Sequence, residues 1–148
     1  MMSLAVPIEI LGSLAADTLK EGRSVELTVV GNSMFPLFVT KRDSVTLSPI
    51  GDIRRRMIIF YLRPTGKYVL HRVVRIKGDV LKVSGDNETR LEDVSPSQVL
   101  GYVTEFVRKG KRTSTRRLWY RVYAWLMCSF YRIKRPMVWI AYKLKVKK

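Results

Sequence analysis

Val25-Glu26-Leu27-Thr28-Val29-Val30 runs straight into Gly31-Asn32-Ser33-Met34-Phe35-Pro36, and the junction of these two stretches decides how the chain is read. The first stretch is rich in β-branched residues and predicts a strand. Gly31 then permits a sharp turn, and Pro36 stops the backbone continuing as a ladder or helix. A serine held on such a turn is presented outward with its own N–H free, the stance a nucleophile needs. Alone, a Ser-Met pair after a strand is ordinary turn material, so the reading depends on what the rest of the chain supplies.

Working outward, short strand-like runs alternate with turns. Ser44 to Leu47 is followed by a turn through Ser48, Pro49, Gly51 and Asp52. Met57 to Leu62 is a continuous apolar run of the fully buried type. Pro64 to Lys67 is a hairpin turn, Tyr68 to Ile76 returns, and Lys77 to Asp79 turns into Val80 to Val83. A turn at Ser84 to Asn87 follows, then a last strand, Leu100 to Val107. Turns roughly every ten residues predict a mainly β body, a coiled antiparallel sheet or partly open β-barrel. Ahead of it, Ile8, Leu11, Leu14, Ala15 and Leu19 recur at helical spacing, which predicts a short amphipathic helix packed on the body and ended by Glu21-Gly22. The expected organisation is an N-terminal helix over 1–23, the β body over 24–108 and a basic, aromatic tail over 109–148.

Two later stretches bear on Ser33. His71, the only histidine, sits within Tyr68-Val69-Leu70-His71-Arg72-Val73-Val74. Asp86 lies in Ser84-Gly85-Asp86-Asn87-Glu88, with Asp93 a few residues on. A serine, a histidine and a carboxylate are the parts of an acyl-transfer site: nucleophile, base and orienter. Imidazole titrates near neutrality and can act as a base without special tuning. Asp52 and Asp79 read as turn residues.

The blocks also follow a familiar order. Gly31-x-Ser33-Met34-x-Pro36, Gly51-Asp52 before Ile58-Ile59-Phe60, His71-Arg72-Val73-Val74, Gly85-Asp86-Asn87 and Val99-x-Gly101-Tyr102-Val103 together resemble the catalytic domain of type I signal peptidases, over roughly residues 25 to 107. Histidine rather than lysine as base is similar to the endoplasmic-reticulum and archaeal branch. The resemblance implies a β domain of signal-peptidase type and cleavage of a leader or signal sequence from a precursor by Ser33 and His71. Asp86 and Asp93 both fall where that branch carries aspartates. Asp93 is the favoured orienter of His71 and Asp86 a supporting residue, with both open as candidates. The Ser33 N–H would donate to the oxyanion. Some relatives add a hydroxyl at the position of Gly31, which has none, and Asn32 is the candidate substitute. Met34 and Pro36 would shape a groove in which substrate adds as an extended strand, with small residues before the cut. No cofactor or metal is implied, and with one His and one Cys a zinc site is not expected.

The formal net charge is +16, and its distribution matters more than its total. Residues 111–148 carry twelve Lys or Arg and no acid, whereas residues 1–110 set sixteen basic residues against twelve acidic ones, a net of only +4. The positive charge therefore belongs to the tail and speaks of what the tail touches. Lys109 to Thr115 reads as a polar linker. Leu118 to Ile133 then reads as an aromatic helix with Arg117, Arg121, Cys128, Arg132 and Arg135 on one stripe, broken by Pro136 and followed by a second apolar patch, Met137 to Tyr142. These pieces are too short to span a bilayer but suit its interface, where Trp and Tyr meet apolar chains and Lys and Arg meet anionic headgroups. A partner protein, a membrane protein included, or the body itself is the alternative occupant. Nucleic acid is the weaker one, because the body carries no recognisable nucleic-acid module. Met1 to Ala16 lacks a basic leader segment and Glu9 interrupts its apolar run, so neither a signal peptide nor a span is predicted there. Relatives usually carry an anchor before the serine, so the expectation here is membrane association through the tail, on the cytoplasmic face. The single Cys128 reads as packing.

Two other functions compete. A LexA-type self-cleaving regulator shares the fold but uses lysine and needs an N-terminal DNA-binding domain, for which about thirty residues leave no room. A non-catalytic membrane- or partner-binding module on the same fold would leave Ser33 and His71 apart.

Overall fold

The computed structural model describes residues 8–132, 139, 140 and 142–144, and the side chains of 8–10 are not described. Helix α1 (Ile8–Lys20) precedes strands β1 (Val25–Thr28), β2 (Ser44–Pro49), β3 (Ile58–Leu62), β4 (Tyr68–Lys77), β5 (Val80–Ser84) and β6 (Glu92–Val94). A 3-10 turn (Pro96–Gln98) leads to β7 (Val99–Arg108), β8 (Lys111–Ser114) and helix α2 (Leu118–Ser129). Among the described residues the protein is mainly β: eight antiparallel strands in one sheet that does not close.

The strand order is β1-β2-β7-β3-β4-β5-β6, and β7 is its spine. One edge of β7 pairs with β2. The other is shared, Val99 to Tyr102 bonding β3 and Glu105 to Arg108 bonding β8. Register shifts at Thr46/Leu47, Phe60/Tyr61 and Val73/Arg75 interrupt the ladders. Such bulges bend a strand and tighten its twist, which curls this sheet.

Apolar side chains bury both faces. Ile58 and Phe60 join a core with Leu47, Val103 and Phe106, covered by Ala15 and Leu19 of α1 and by Tyr120 and Ala124 of α2. Ile59 and Tyr61 point the other way, into a second core with Val73, Leu81, Val83, Val94 and Val99. A strand buried on both faces needs an unbroken apolar run, and Ile58–Leu62 is one.

One expectation changes. Lys111–Ser114 is not a linker but a strand: Lys111 and Arg112 are exposed, Thr113 is buried, and its backbone completes the free edge of β7. The first part of the tail packs on the body, one of the alternatives open for it, burying Tyr120, Ala124, Met127, Cys128 and Tyr131. The packed unit thus continues past residue 109. Pro136 and, in the apolar patch after it, Met137, Val138 and Ala141 lie outside the described residues.

Candidate active site

Ser33 sits on the turn between β1 and β2. Gly31 enters that turn at φ 93°, a left-handed conformation in which a side chain would be strained. Its N–H is held by Thr40 Oγ1 at 3.0 Å. The turn is clamped from across the sheet by the segment after β5. Asn87 N donates to the Ser33 carbonyl at 2.9 Å, and Asn87 Nδ2 to the Asn32 carbonyl at 3.2 Å. Gly85 packs so tightly here that a Cβ on it would lie 2.3 Å from the Ser33 carbonyl oxygen. The Gly85-Asp86-Asn87 motif therefore positions the serine loop. The Ser33 N–H has no acceptor among the described residues, which leaves it available to an oxyanion.

His71 lies on β4, paired across the ladder with Ile59. That register makes Tyr61, two residues along β3 on the same face, its diagonal neighbour. The Tyr61 hydroxyl lies 3.2 Å from His71 Nδ1 and 3.0 Å from Glu92 Oε2. Arg63 in turn holds Glu92 with contacts of 2.6 to 3.2 Å. Burial would raise the Glu92 pKa, but hydrogen bonds from Arg63 and Tyr61 outweigh it and bring the carboxyl below its ordinary value. Burial, reinforced by Glu92, pushes the Tyr61 hydroxyl well above its own. A carboxylate has no proton to give, so Tyr61 donates to Glu92 and its oxygen accepts from His71 Nδ1–H. Nε2 then carries the lone pair a general base requires. Burial also disfavours the imidazolium and holds the His71 pKa below 6.5, partly countered by Glu88 and Glu92. Glu88 Oε2 stands 3.7 Å from Nε2, close enough to stabilise the imidazolium when it forms.

Neither candidate aspartate hydrogen-bonds His71. Asp86 forms a bidentate pair with Arg72 at 2.8 and 2.9 Å, both side chains 1% exposed. Its Oδ2 also accepts from Tyr123 at 2.8 Å, and Arg72 Nη1 donates to Tyr120 at 3.1 Å and to the Arg56 carbonyl at 2.8 Å. Adjacent residues of a strand face opposite ways, so His71 turns toward Tyr61 while Arg72 locks α2 and the Gly-Asp-Asn segment together. Asp93 is exposed and pairs with Lys82 at 2.6 Å. On the three-residue β6, Val94 faces the core, which turns Glu92 inward and Asp93 outward. The carboxylate linked to the Nδ1 side of His71 is thus Glu92, through Tyr61. Reading β6 with a period of two from Val94 would have pointed to it.

Ser33 and His71 line one cleft of about 400 Å³, with no hydrogen bond between them. Its walls are largely apolar, including Leu11 of α1, Leu27, Val29, Phe60 and Leu70. Met34 lines it as well, whereas Asn32 and Pro36 do not. Two segments flank the cleft, residues 27–31, where β1 runs on into the serine turn, and residues 67–71, where β4 begins. β4 pairs with β3 over Tyr68 to Arg72 but with β5 only from Arg72 onward. Residues 68–71 therefore present one unpaired edge, and β1 pairs only with β2. A peptide strand laid between them would find donors and acceptors on both sides.

Comparison with protein-family models and with curated proteins finds no match. Among the described residues no cluster of His, Cys, Asp and Glu could hold a metal ion. Cys128, with Sγ 3.5 Å from the Val73 carbonyl, is buried, and burial pushes its thiol pKa up, against nucleophilic use.

Proposed function

We propose that this protein is a serine endopeptidase of signal-peptidase type, cleaving a leader or signal sequence from a precursor polypeptide. The observation that carries the reading is the shared cleft: Ser33 on a glycine turn and His71 with Nδ1 capped by Tyr61, between two strand edges free to bind an extended chain.

The substrate adds as a strand between residues 27–31 and 67–71, with small side chains before the cut expected from the resemblance. As it seats, the Ser33 hydroxyl closes on Nε2; such hydrogen bonds are often long or absent without substrate. Ser33 Oγ attacks the scissile carbonyl carbon and His71 takes its proton. The Ser33 N–H stabilises the oxyanion. Collapse breaks the C–N bond, His71 gives the proton to the leaving amine, and an acyl-Ser33 ester remains. Water, deprotonated by His71, then releases the acid and restores the serine. Tyr61 and Glu92 hold the imidazole in place, and the charges of Glu92 and Glu88 offset its positive charge in both transition states. Asp86 and Arg72 position the serine loop.

The setting proposed is a membrane surface, approached from the cytoplasmic face through the basic tail. No described helix is long and apolar enough to cross a membrane. Support comes from α2, whose outer face exposes Leu118, Trp119, Val122 and Trp125.

The test compares mature protein N-termini by mass spectrometry in cells carrying the wild type, Ser33→Ala or His71→Ala. The expected result is one small set of N-termini lost in both variants. An unchanged set in both would remove the peptidase reading.

A further inference from the structure

A further concavity borders Arg56 and Tyr120, both of which bond Arg72. It holds about 490 Å³ between the segment before β3 and the inner edge of α2. Arg54, Arg55, Arg56 and Arg121 line it, above a floor that includes Tyr102 and Tyr120. Among the described residues none of these four arginines pairs with a carboxylate, although all are exposed. Arg55 is partly anchored, its Nε donating to the Val74 carbonyl at 2.7 Å. Four arginines without a carboxylate partner around one hollow suit an oxygen anion, and guanidinium forks match phosphate in particular.

The helix beside it decides which phosphate. At 100° per residue, Ala124 and Tyr120 face the hollow, Arg121 stands at its rim, and Trp125, Leu118 and Val122 follow in that order around the outer face. Leu118 is 74% exposed, and Trp119, Val122 and Trp125 about half exposed. The arginine hollow thus grades directly into an apolar aromatic strip. Phosphate beside a surface that accepts tryptophan and leucine is the chemistry of an anionic lipid headgroup beside acyl chains. A nucleic-acid backbone would neutralise the arginines but leave the leucine and valine in water.

We propose that the hollow between Arg54, Arg55, Arg56 and Arg121 binds the phosphate of an anionic phospholipid while Leu118, Trp119, Val122 and Trp125 enter the interface beside it. It would orient the domain on the membrane rather than merely attract it. The inference rests on the membrane-surface reading of α2 and is independent of the peptidase chemistry.

The test is sedimentation of the full-length protein with vesicles of phosphatidylcholine alone or mixed with phosphatidylglycerol, alongside the emission of its three tryptophans. Wild type should bind the mixed vesicles with a blue shift, and the zwitterionic ones far less. The double variant Arg54→Gln with Arg121→Gln should lose roughly fivefold in partitioning per arginine, about 25-fold together. Arg54→Lys with Arg121→Lys should keep more than half of the logarithmic preference. Trp119→Ser with Trp125→Ser should weaken binding to both vesicles and keep the anionic preference. If the Gln variant, folded by circular dichroism, binds mixed vesicles as the wild type does, the arginine site is wrong and the membrane reading survives. If the wild type binds neither vesicle, both fail. Tighter binding to a single-stranded RNA than to mixed vesicles at equal salt would overturn the lipid assignment.

Discussion

Replacing Tyr61 with Phe removes one oxygen and almost nothing else, and it isolates the link between His71 and Glu92. The ring stays in its core with Ile59 and Val99, while Arg63 keeps its grip on Glu92. His71 Nδ1–H loses its acceptor, and with the residue 2% exposed no bulk water replaces it. Leaving a buried donor unsatisfied costs about 1–3 kcal/mol. The demand on Nδ1 is greatest when the ring becomes imidazolium, so most of that cost falls on the transition states. At 1.36 kcal/mol per tenfold, kcat drops roughly 5- to 150-fold. KM should change less than about twofold, since Tyr61 does not line the cleft. The assay is pulse-chase appearance of a mature N-terminus whose formation depends on Ser33, supported by steady-state kinetics on a peptide spanning that site. A folded Tyr61→Phe protein with wild-type kcat would refute the claim that Tyr61 positions the base.

Four other outcomes follow from the same geometry. Glu92→Gln removes a charge that raises the His71 pKa, so the acid limb of kcat/KM should move to lower pH, whereas Asp93→Asn should leave rate and profile within about twofold; kinetics from pH 4.5 to 8 read both. The wild-type acid limb should lie below 6.5. Because the folded His71 pKa is depressed, the unfolded chain binds more protons in that window, so this group's stability contribution is present above 6.5 and is lost as pH falls through the folded value, as urea melts at pH 5 and 7 would show. Gly85→Ala should cost about 1–3 kcal/mol and more than tenfold in rate by displacing the Ser33 carbonyl, seen as a lower melting temperature together with slower processing. Asp86→Asn strands the Arg72 charge and should destabilise by about 3–5 kcal/mol in denaturant unfolding.

Much of the body was legible because its strands carry their burial as a pattern. The buried run at Ile58–Leu62, the turns at Gly66 and Gly78 and the long return strand are local signals, and the structure follows them. β6 and β8 escaped for one physical reason. Glu92-Asp93-Val94 and Lys111-Arg112-Thr113-Ser114 have little apolar content, and a neighbour's free edge makes them strands. Ser33 and His71 stood out because a glycine turn and a unique histidine are local features. Tyr61 did not, because inside an apolar run it looks like core, and only the pairing of Ile59 with His71 brings its hydroxyl to the ring. Asp86 was visible as a motif residue, but its partner Arg72 and the tyrosines of α2 come from distant parts of the chain. The tail helix was legible as basic and aromatic, yet which of its side chains face the body, Cys128 among them, depends on Arg72 and Asp86, which dock Tyr120 and Tyr123.

The central claim is that Ser33 is a nucleophile activated by His71, and an acid-quenched single turnover tests it most directly. Full-length protein would be mixed with a set of peptide esters carrying alanine at the acyl position, quenched within seconds, and its intact mass and peptide map recorded. The account predicts an acyl adduct on Ser33 in the wild type, absent from Ser33→Ala and formed far more slowly in His71→Ala. An adduct on another residue, or none in the wild type with esters that it demonstrably binds, would contradict it.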